Sequence, residues 1–280
     1  MKRYIFGKSV QGASHKRTGK ECQDSRKVVT FPDGTAIVAI ADGHGSAACP
    51  FSKNGSTIAV NVFCDVMQEL YHSYAQNKEM LLTYLNRDAD TQLAQTIDEE
   101  WKARVLRFHL DAGRDTPEFE DEEKNKEHIY TLYGSTLVGM LLTPTFIFAF
   151  QIGDGDISYV DQNGFSCPME ADKMYGVETH SLCRPNAWKK AVTMARRWNG
   201  EEELPTLLLL STDGFANSYP SDEAFRHTCI EYFEMIKEHG PKTISAHLDS
   251  WLNETSAGGC GDDITLMLVY TCAHSDNNKK

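Results

Sequence analysis

Short apolar runs and amphipathic stripes take turns along this chain. Six runs rich in aliphatic and β-branched residues stand between turn formers: Thr35 to Ala41, Ser135 to Leu142, Thr145 to Ile152, Asp156 to Val160, Thr206 to Ser211 and Ile264 to Tyr270. Their length and composition predict strands buried on at least one face. Four stripes at three- and four-residue spacing predict helices. The first spans Ser56 to Tyr74 through Ile58, Ala59, Val62, Phe63, Val66, Met67 and Leu70, and the second runs through Leu93, Ile97, Trp101, Val105 and Phe108. The third holds Phe225, Cys229, Tyr232, Phe233 and Ile236, the fourth Ile244, Leu248, Trp251 and Leu252. The first two helices are expected to pack on a sheet.

Helices come in pairs and strands in runs, and Thr143-Pro144-Thr145 makes a tight link between adjacent strands. That grouping predicts antiparallel sheets flanked by helices rather than a βαβ alternation. Asp115 to His128, with Glu118, Glu120, Asp121, Glu122 and Glu123, reads as a solvated loop inserted between helix and strand. No repeat or low-complexity linker divides the chain, so a single domain over 1–273 is expected, with a frayed, disordered tail from His274 to Lys280.

Charge narrows the partners. The 280 residues carry 28 Lys and Arg against 40 Asp and Glu, a formal charge of −12. That excess disfavours nucleic acid and anionic membrane, both of which need a basic face. No apolar stretch approaches the ~20 residues of a membrane span. Met1-Lys2-Arg3 is followed by no apolar segment, so no secretory leader is expected and the cytoplasm is the expected compartment. Eight scattered cysteines without a CxxC pair predict reduced thiols and argue against structural zinc.

The informative feature is where certain aspartates fall. Asp42 ends Ala36-Ile-Val-Ala-Ile-Ala41, Asp213 follows Leu207-Leu-Leu-Leu-Ser-Thr212, and Asp154 follows Phe146-Ile-Phe-Ala-Phe-Gln-Ile-Gly153. Asp262 and Asp263 precede Ile264, and Gln23-Asp24 precedes Val28-Val-Thr30. If antiparallel strands bring these ends to one edge, the carboxylates are too close to stay ionised without compensation. Oxygen donors unaccompanied by His or Cys pairs favour magnesium or manganese over zinc. Asp33-Gly34 reads instead as a turn. Asp42-Gly-His-Gly45 places a carboxylate, a flexible backbone and an imidazole in one tight turn, where a carbonyl could approach a metal and His44 project over the site.

Gln23-Asp24, Ala41-Asp-Gly-His-Gly45, Tyr133-Gly-Ser-Thr136, Ile152-Gly-Asp154, Leu210-Ser-Thr-Asp-Gly214 and Gly261-Asp-Asp-Ile-Thr265 occur in one order. In that order and spacing the chain resembles the metal-dependent protein phosphatase family (PPM, type 2C) over roughly residues 7 to 271. The resemblance implies an α+β fold, a four-layer α-β-β-α sandwich around a central antiparallel β-sandwich. It also implies two Mn2+ or Mg2+ per active site and hydrolysis of phosphoserine and phosphothreonine by metal-activated water. By motif, Asp42 would bridge the metals and the Gly43 carbonyl would bind one. Asp213 and Asp262 would hold the other, and Asp24 would orient bound water there. His44 falls at the proposed general acid, and Asp154 at a third, weaker metal position of some members. Asp263 stands where the family usually has asparagine, and would support the ligands.

The chain also departs from the pattern. The family commonly has a phosphate-gripping arginine five residues before the first aspartate; here that residue is Gly19. A longer loop offers His15, Lys16, Arg17 and Lys20 instead, with His15 and Arg17 the expected phosphate ligands. After Asp154 comes Gly155-Asp156 rather than serine and arginine. Residues 161–204 fall where the family carries a variable flap, and hold Met174, Tyr175, Trp188, Arg196, Arg197 and Trp198; the two tryptophans read as packing residues. The expected enzyme is a monomeric signalling phosphatase with a phosphorylated protein substrate and a cognate kinase. The alternatives are a catalytically silent phosphatase-like binding or regulatory domain, and a small-molecule phosphate-ester hydrolase.

Overall fold

The structure, a computed structural model, describes residues 1–115, 121–169, 180–198 and 204–273. Among the described residues, ten strands form two five-stranded sheets in which every pairing is antiparallel. The first sheet has the order β1 (Lys2–Val10), β10 (Ile264–Cys272), β9 (Thr206–Ser211), β6 (Asp156–Asp161), β7 (Gly164–Ser166). The second has the order β2 (Ser25–Thr30), β3 (Ala36–Ala41), β4 (Leu137–Leu142), β5 (Phe146–Ile152), β8 (Val192–Arg197).

Side-chain alternation along the central strands assembles the layers. Ala36, Val38 and Ile40 of β3 join Val138 and Met140 of β4, Leu208 and Leu210 of β9, and Met267 and Val269 of β10 in a core between the sheets. The alternate residues Ile37, Ala39 and Ala41 face the other way, with Phe146, Phe148 and Phe150, against α2 (Ser52–Ser73), α3 (Lys78–Asp88) and α4 (Ala94–Asp111). Leu207, Leu209, Leu266 and Leu268 meet α7 (Asp222–His239) and α8 (Pro241–Gly258) in a third core. Three apolar interfaces separate four layers, and the expected α-β-β-α sandwich is what the alternation builds.

The six predicted strands are all present, and the 143–145 link joins β4 to β5 as expected. Of the first helical pair, α2 packs on the second sheet, whereas α4 packs on α2 and α5 (Glu122–Thr131). α5 also corrects the loop expected over Asp115 to His128. Asp121 caps it by accepting the Glu123 N–H at 3.0 Å, Glu122 pairs with Lys126 at 2.8 Å, and Ile129 is its buried anchor. Parts of the expected flap belong to the sheets as β6, β7 and β8, Trp198 is buried in the inter-sheet core, and Trp188 packs on the α2 side. Glu118, Glu120, Met174, Tyr175 and the tail at 274–280 lie outside the described residues. All eight cysteines are free thiols. Among the described residues, no helix is long and apolar enough to cross a membrane.

Candidate metal centre

Register carries the aspartates to one edge. Ser25 is opposite Ala41, so Asp24 and Asp42 leave the second sheet at the same end; Leu137 opposite Ile152 adds Asp154 there. In the first sheet Ser211 lies opposite both Leu266 and Asp156, which brings Asp213 beside the 262–263 turn and the start of β6.

Local contacts then hold each turn. The Asp42 N–H donates to Thr136 Oγ1 at 3.0 Å, and the Thr136 N–H donates to the Asp42 carbonyl at 2.8 Å. A Cβ on Gly43 would sit 2.6 Å from the Ser52 carbonyl oxygen, so only glycine lets the turn lie against the start of α2. Asp213 opens the single-turn α6 (Asp213–Ala216), where Asn217 Nδ2 donates to its Oδ2 at 3.0 Å. A Cβ on the next residue, Gly214, would lie 2.0 Å from the Asp263 carbonyl oxygen, which is how closely the 213–214 and 262–263 turns are pressed together.

The electrostatics follow from that crowding. Asp24 is 1% exposed. Burial pushes its carboxyl up to about 7 against hydroxyl donors from Thr212 and Thr265. Thr212 Oγ1 donates to Asp24 Oδ2 at 2.8 Å, while buried Oδ1 receives no donor hydrogen bond. Burial likewise raises Asp213 to about 6, helped by Asp154 and Asp262. Asp42 is raised well above the carboxylate range by burial and then by Asp24, Asp213, Asp262 and Asp154. Its carboxyl is within hydrogen-bonding reach of both Asp24 and Asp213. These are carboxylates short of positive charge.

Among the described residues, no three His, Cys, Asp or Glu side chains form a ready-made cation cage. The fit to a metal is one of donor chemistry. An all-oxygen set, an orphaned Asp24 Oδ1 and mutual repulsion around Asp42 suit a hard divalent cation, which takes carboxylate and carbonyl oxygens. Asp24, Asp42, Gly43, Asp213 and Asp262 could supply those donors, with Asp154 at the margin.

The His44 ring lies against Gly134, beside the sulfurs of Cys49 and Cys183. Burial lowers its pKa, Asp154 pulls it up and Arg184 pushes it down. Asp263 Oδ1 accepts the Gly12 N–H at 2.6 Å and Oδ2 the Gln23 N–H at 2.7 Å, so it ties the first loop to the site. His15, on α1 (Ala13–Thr18), lies between acidic groups: Nδ1 is 2.9 Å from Asp263 Oδ1, a close contact without hydrogen-bond alignment, and Nε2 is 3.7 Å from Asp262 Oδ1. Arg17 is exposed on the same helix.

The basic residue of that loop with a bond to the Asp42–Gly45 turn is Lys20, whose Nζ donates to the Gly45 carbonyl at 3.0 Å. Arg184 was not anticipated. It follows a segment fixed by the Leu182 N–H donating to the Ser135 carbonyl at 2.9 Å. No sequence signal sets it apart from Lys189 or Lys190, because a tertiary return of the chain brings it near His44.

Comparison with known proteins bears on the family and the fold. A family model described as protein phosphatase 2C matches residues 11–253. The fold is similar to that of an S. agalactiae serine/threonine phosphatase, at 15% identity and TM-score 0.60 over 96% of this chain and 100% of that one. It is also similar to the catalytic domain of the serine threonine protein phosphatase PstP in complex with two manganese ions, at 15% identity and TM-score 0.57 over 97% and 99%. The phosphatase domain of SpoIIE from Bacillus subtilis aligns at 12% identity and TM-score 0.51 over 100% and 96%. At such identities these likenesses speak for the fold. No curated protein matches the sequence.

Proposed function

The chain belongs to the protein phosphatase 2C family, and on that premise we propose that it is a metal-dependent phosphatase hydrolysing phosphoserine and phosphothreonine on proteins. The observation that carries the reading is the strand register, which brings Asp24, Asp42, Asp154, Asp213 and the 262–263 turn to one edge, with Thr212 bonded across the sheets to Asp24. Asp24, Asp42, the Gly43 carbonyl, Asp213 and Asp262 would hold two manganese or magnesium ions, and Asp154 a third, weaker one. Bound there, the cations would supply a water of lowered pKa and offset the charge of an incoming phosphate.

The chain's own residues do the rest. With Thr212 fixing Oδ2, Asp24 keeps Oδ1 free to accept a hydrogen bond from the attacking water and so orient it. His44 is the proton donor to the leaving serine or threonine oxygen. Its lowered pKa makes the charged ring a ready acid, and a phosphate beside it favours the charged form. Asp263 is a positioning residue holding the first loop. Of the basic groups, Lys20 and Arg184 are better placed for the phosphate than His15 and Arg17, since His15 already faces two carboxylates. The enzyme acts in the cytoplasm as a monomer that opposes a kinase.

With manganese, the purified protein is expected to hydrolyse p-nitrophenyl phosphate and a phosphothreonine peptide, and chelation to stop both. Turnover that persists through chelation would overturn the mechanism. Gly19 at the usual arginine position favours one second reading, a silent phosphatase-like domain that binds a phosphoprotein. Calorimetry with turnover separates them: a domain whose centre is lost takes up no manganese, and one that takes up manganese and binds a phosphopeptide without hydrolysing it is silent for want of the phosphate grip. Preference for a small phosphate ester over a phosphoprotein panel would reassign the substrate.

A further inference from the structure

A second feature of opposite charge lies beside the acidic cluster. An open cavity of about 440 Å³ is walled by β2, by Ser9 at the end of β1 and by the first turns of α2. Its lining includes Lys27 and Lys53 on the α2 side of β2 and Arg26, which alternation along the strand puts on the other face at the open edge, together with Ser9, Ser25 and Thr57. Three basic residues lining one cavity at a strand edge are unexpected on a chain of formal charge −12.

Partners already in place show what remains to be satisfied. Lys53 Nζ donates to the Asp24 carbonyl at 2.7 Å and to Ser25 Oγ at 3.3 Å, which leaves one of its three N–H groups. Lys27 Nζ donates to Asn61 Oδ1 at 2.8 Å and to Asp65 Oδ1 at 3.3 Å, but Asp65 also serves Arg104 at 2.6 Å, so Lys27 is only partly neutralised. Arg26 is exposed on the edge strand β2 and presents a planar fork of donors. Asp24 also lines the cavity, yet what it gives Lys53 is its backbone carbonyl, while its carboxyl group engages Thr212 and lies in reach of Asp42. The lining therefore carries more positive charge than its partners cancel, with donors still unspent on Lys53 and Arg26. A carboxylate would leave part of both unused. A phosphoryl group, with three acceptor oxygens and a charge of about −1.5 to −2 at pH 7, uses them. The volume is in the range of cavities that take small ligands.

We propose that the cavity formed by Arg26, Lys27 and Lys53 is a second anion site that binds a phosphoryl dianion, either free orthophosphate or a phosphate carried on a peptide. It is separate from the aspartate cluster but shares a wall with it, since Lys53 holds the carbonyl of Asp24. The test is a calorimetric titration of the full chain after chelation, when the uncompensated aspartates repel anions. Orthophosphate is titrated first and a phosphoserine peptide second. Saturable binding of one equivalent is expected, weakened at least tenfold by Arg26→Glu and less by Arg26→Gln. Both variants should keep the wild-type melting temperature and manganese-dependent turnover of p-nitrophenyl phosphate.

Binding of both ligands supports a site for the phosphoryl group itself, and binding of the peptide alone supports a site for protein-borne phosphate. No saturable binding at millimolar ligand, or binding indifferent to both substitutions, overturns the proposal. The two readings fail separately: absent manganese-dependent turnover with cavity binding intact removes only the phosphatase reading, and the reverse outcome removes only this site.

Discussion

Strand β3 has an Asp-Gly pair at each end, and the two have opposite fates. Asp33, before the strand, is exposed and well supplied: its carboxylate accepts the Thr35 N–H at 3.0 Å, the Thr35 hydroxyl at 3.1 Å and the Tyr71 hydroxyl, with Lys78 nearby. Burial, the largest single influence, pushes its pKa up, and the Tyr71 and Thr35 donors with Lys78 together more than offset this, so the carboxyl ends below its ordinary value. Asp42, after the strand, faces other carboxylates and is driven well above it. The dipeptide is the same. What makes one a turn and the other a candidate site is whether the surroundings supply donors or demand a cation.

The largest effect should come from exchanging these roles. Asp42→Asn is expected to lower manganese-dependent turnover by at least 10³-fold, about 4 kcal/mol of barrier, because the amide cannot carry the charge that holds a cation. The melting temperature of the chelated protein should hold or rise, since repulsion is relieved. Asp33→Asn should leave turnover within about twofold of wild type, being remote from the reacting groups. Comparable losses in the two variants would break the contrast.

Next comes pH. Asp24 at about 7, Asp213 at about 6 and raised Asp42 hold protons in the folded state that the unfolded chain has released. The folded protein thus binds more protons between the ordinary carboxylate pKa, about 4, and neutrality. Chelated protein should therefore lose stability as pH rises across that window, by on the order of 3 kcal/mol. Thermal melts from pH 5 to 8 would show it. Saturating manganese should remove the slope, because binding needs the deprotonated carboxylates. A flat profile for the chelated protein would mean that the cluster is not under strain.

Much of this contrast was legible before the structure. Asp42, Asp154 and Asp213 stand out because each ends an apolar run long enough to be a buried strand, and antiparallel register does the gathering. What was not legible is where side chains carry little periodicity. β1 reads Lys-Arg-Tyr-Ile-Phe-Gly-Lys-Ser-Val, half-buried almost throughout, because it is an edge strand with one neighbour. β8, at the edge of the other sheet, ends in Arg196-Arg197 and hides as flap. α5 has one buried residue, Ile129, too few for a stripe. Lys20 and Arg184 reach the site through a helical insertion and a long return of the chain, and neither route leaves a local pattern.

The glycines of the two pairs give a smaller and cleaner test. At Gly34 the backbone has φ +83° and a Cβ would meet nothing within 4 Å, so Gly34→Ala should cost only the left-handed penalty of about 1 kcal/mol. At Gly43 the cost is steric: the Ser52 carbonyl 2.6 Å from the new Cβ cannot yield without moving the start of α2. Overpacking of that kind costs about 1–3 kcal/mol. Because the displaced turn carries Asp42 and His44, turnover should fall with it. Urea melts together with p-nitrophenyl phosphate assays separate the two, since only Gly43→Ala should lose activity in proportion greater than stability.

The smallest effect isolates the ordinary end of the strand. Asp33→Asn keeps a turn former but weakens the acceptor of Tyr71 and Thr35. In an exposed position, where solvent screens the loss, this should cost about 1 kcal/mol. The pH sign is opposite to that of the cluster: a carboxyl whose folded pKa is lowered contributes fully above its unfolded pKa, and the contribution fades as pH falls through the folded value. The stability gap between wild type and Asp33→Asn, measured by urea denaturation, should therefore be full at pH 6 and shrink on acidification below about pH 4. On acidification from neutrality to about pH 4, the window in which the folded cluster binds the extra protons, the gap between wild type and Asp42→Asn should instead move in favour of wild type in chelated protein, as protonation quenches the repulsion that the substitution removes. One strand with two Asp-Gly ends would then show two pH dependences of opposite sign, a result that shared turn chemistry cannot produce.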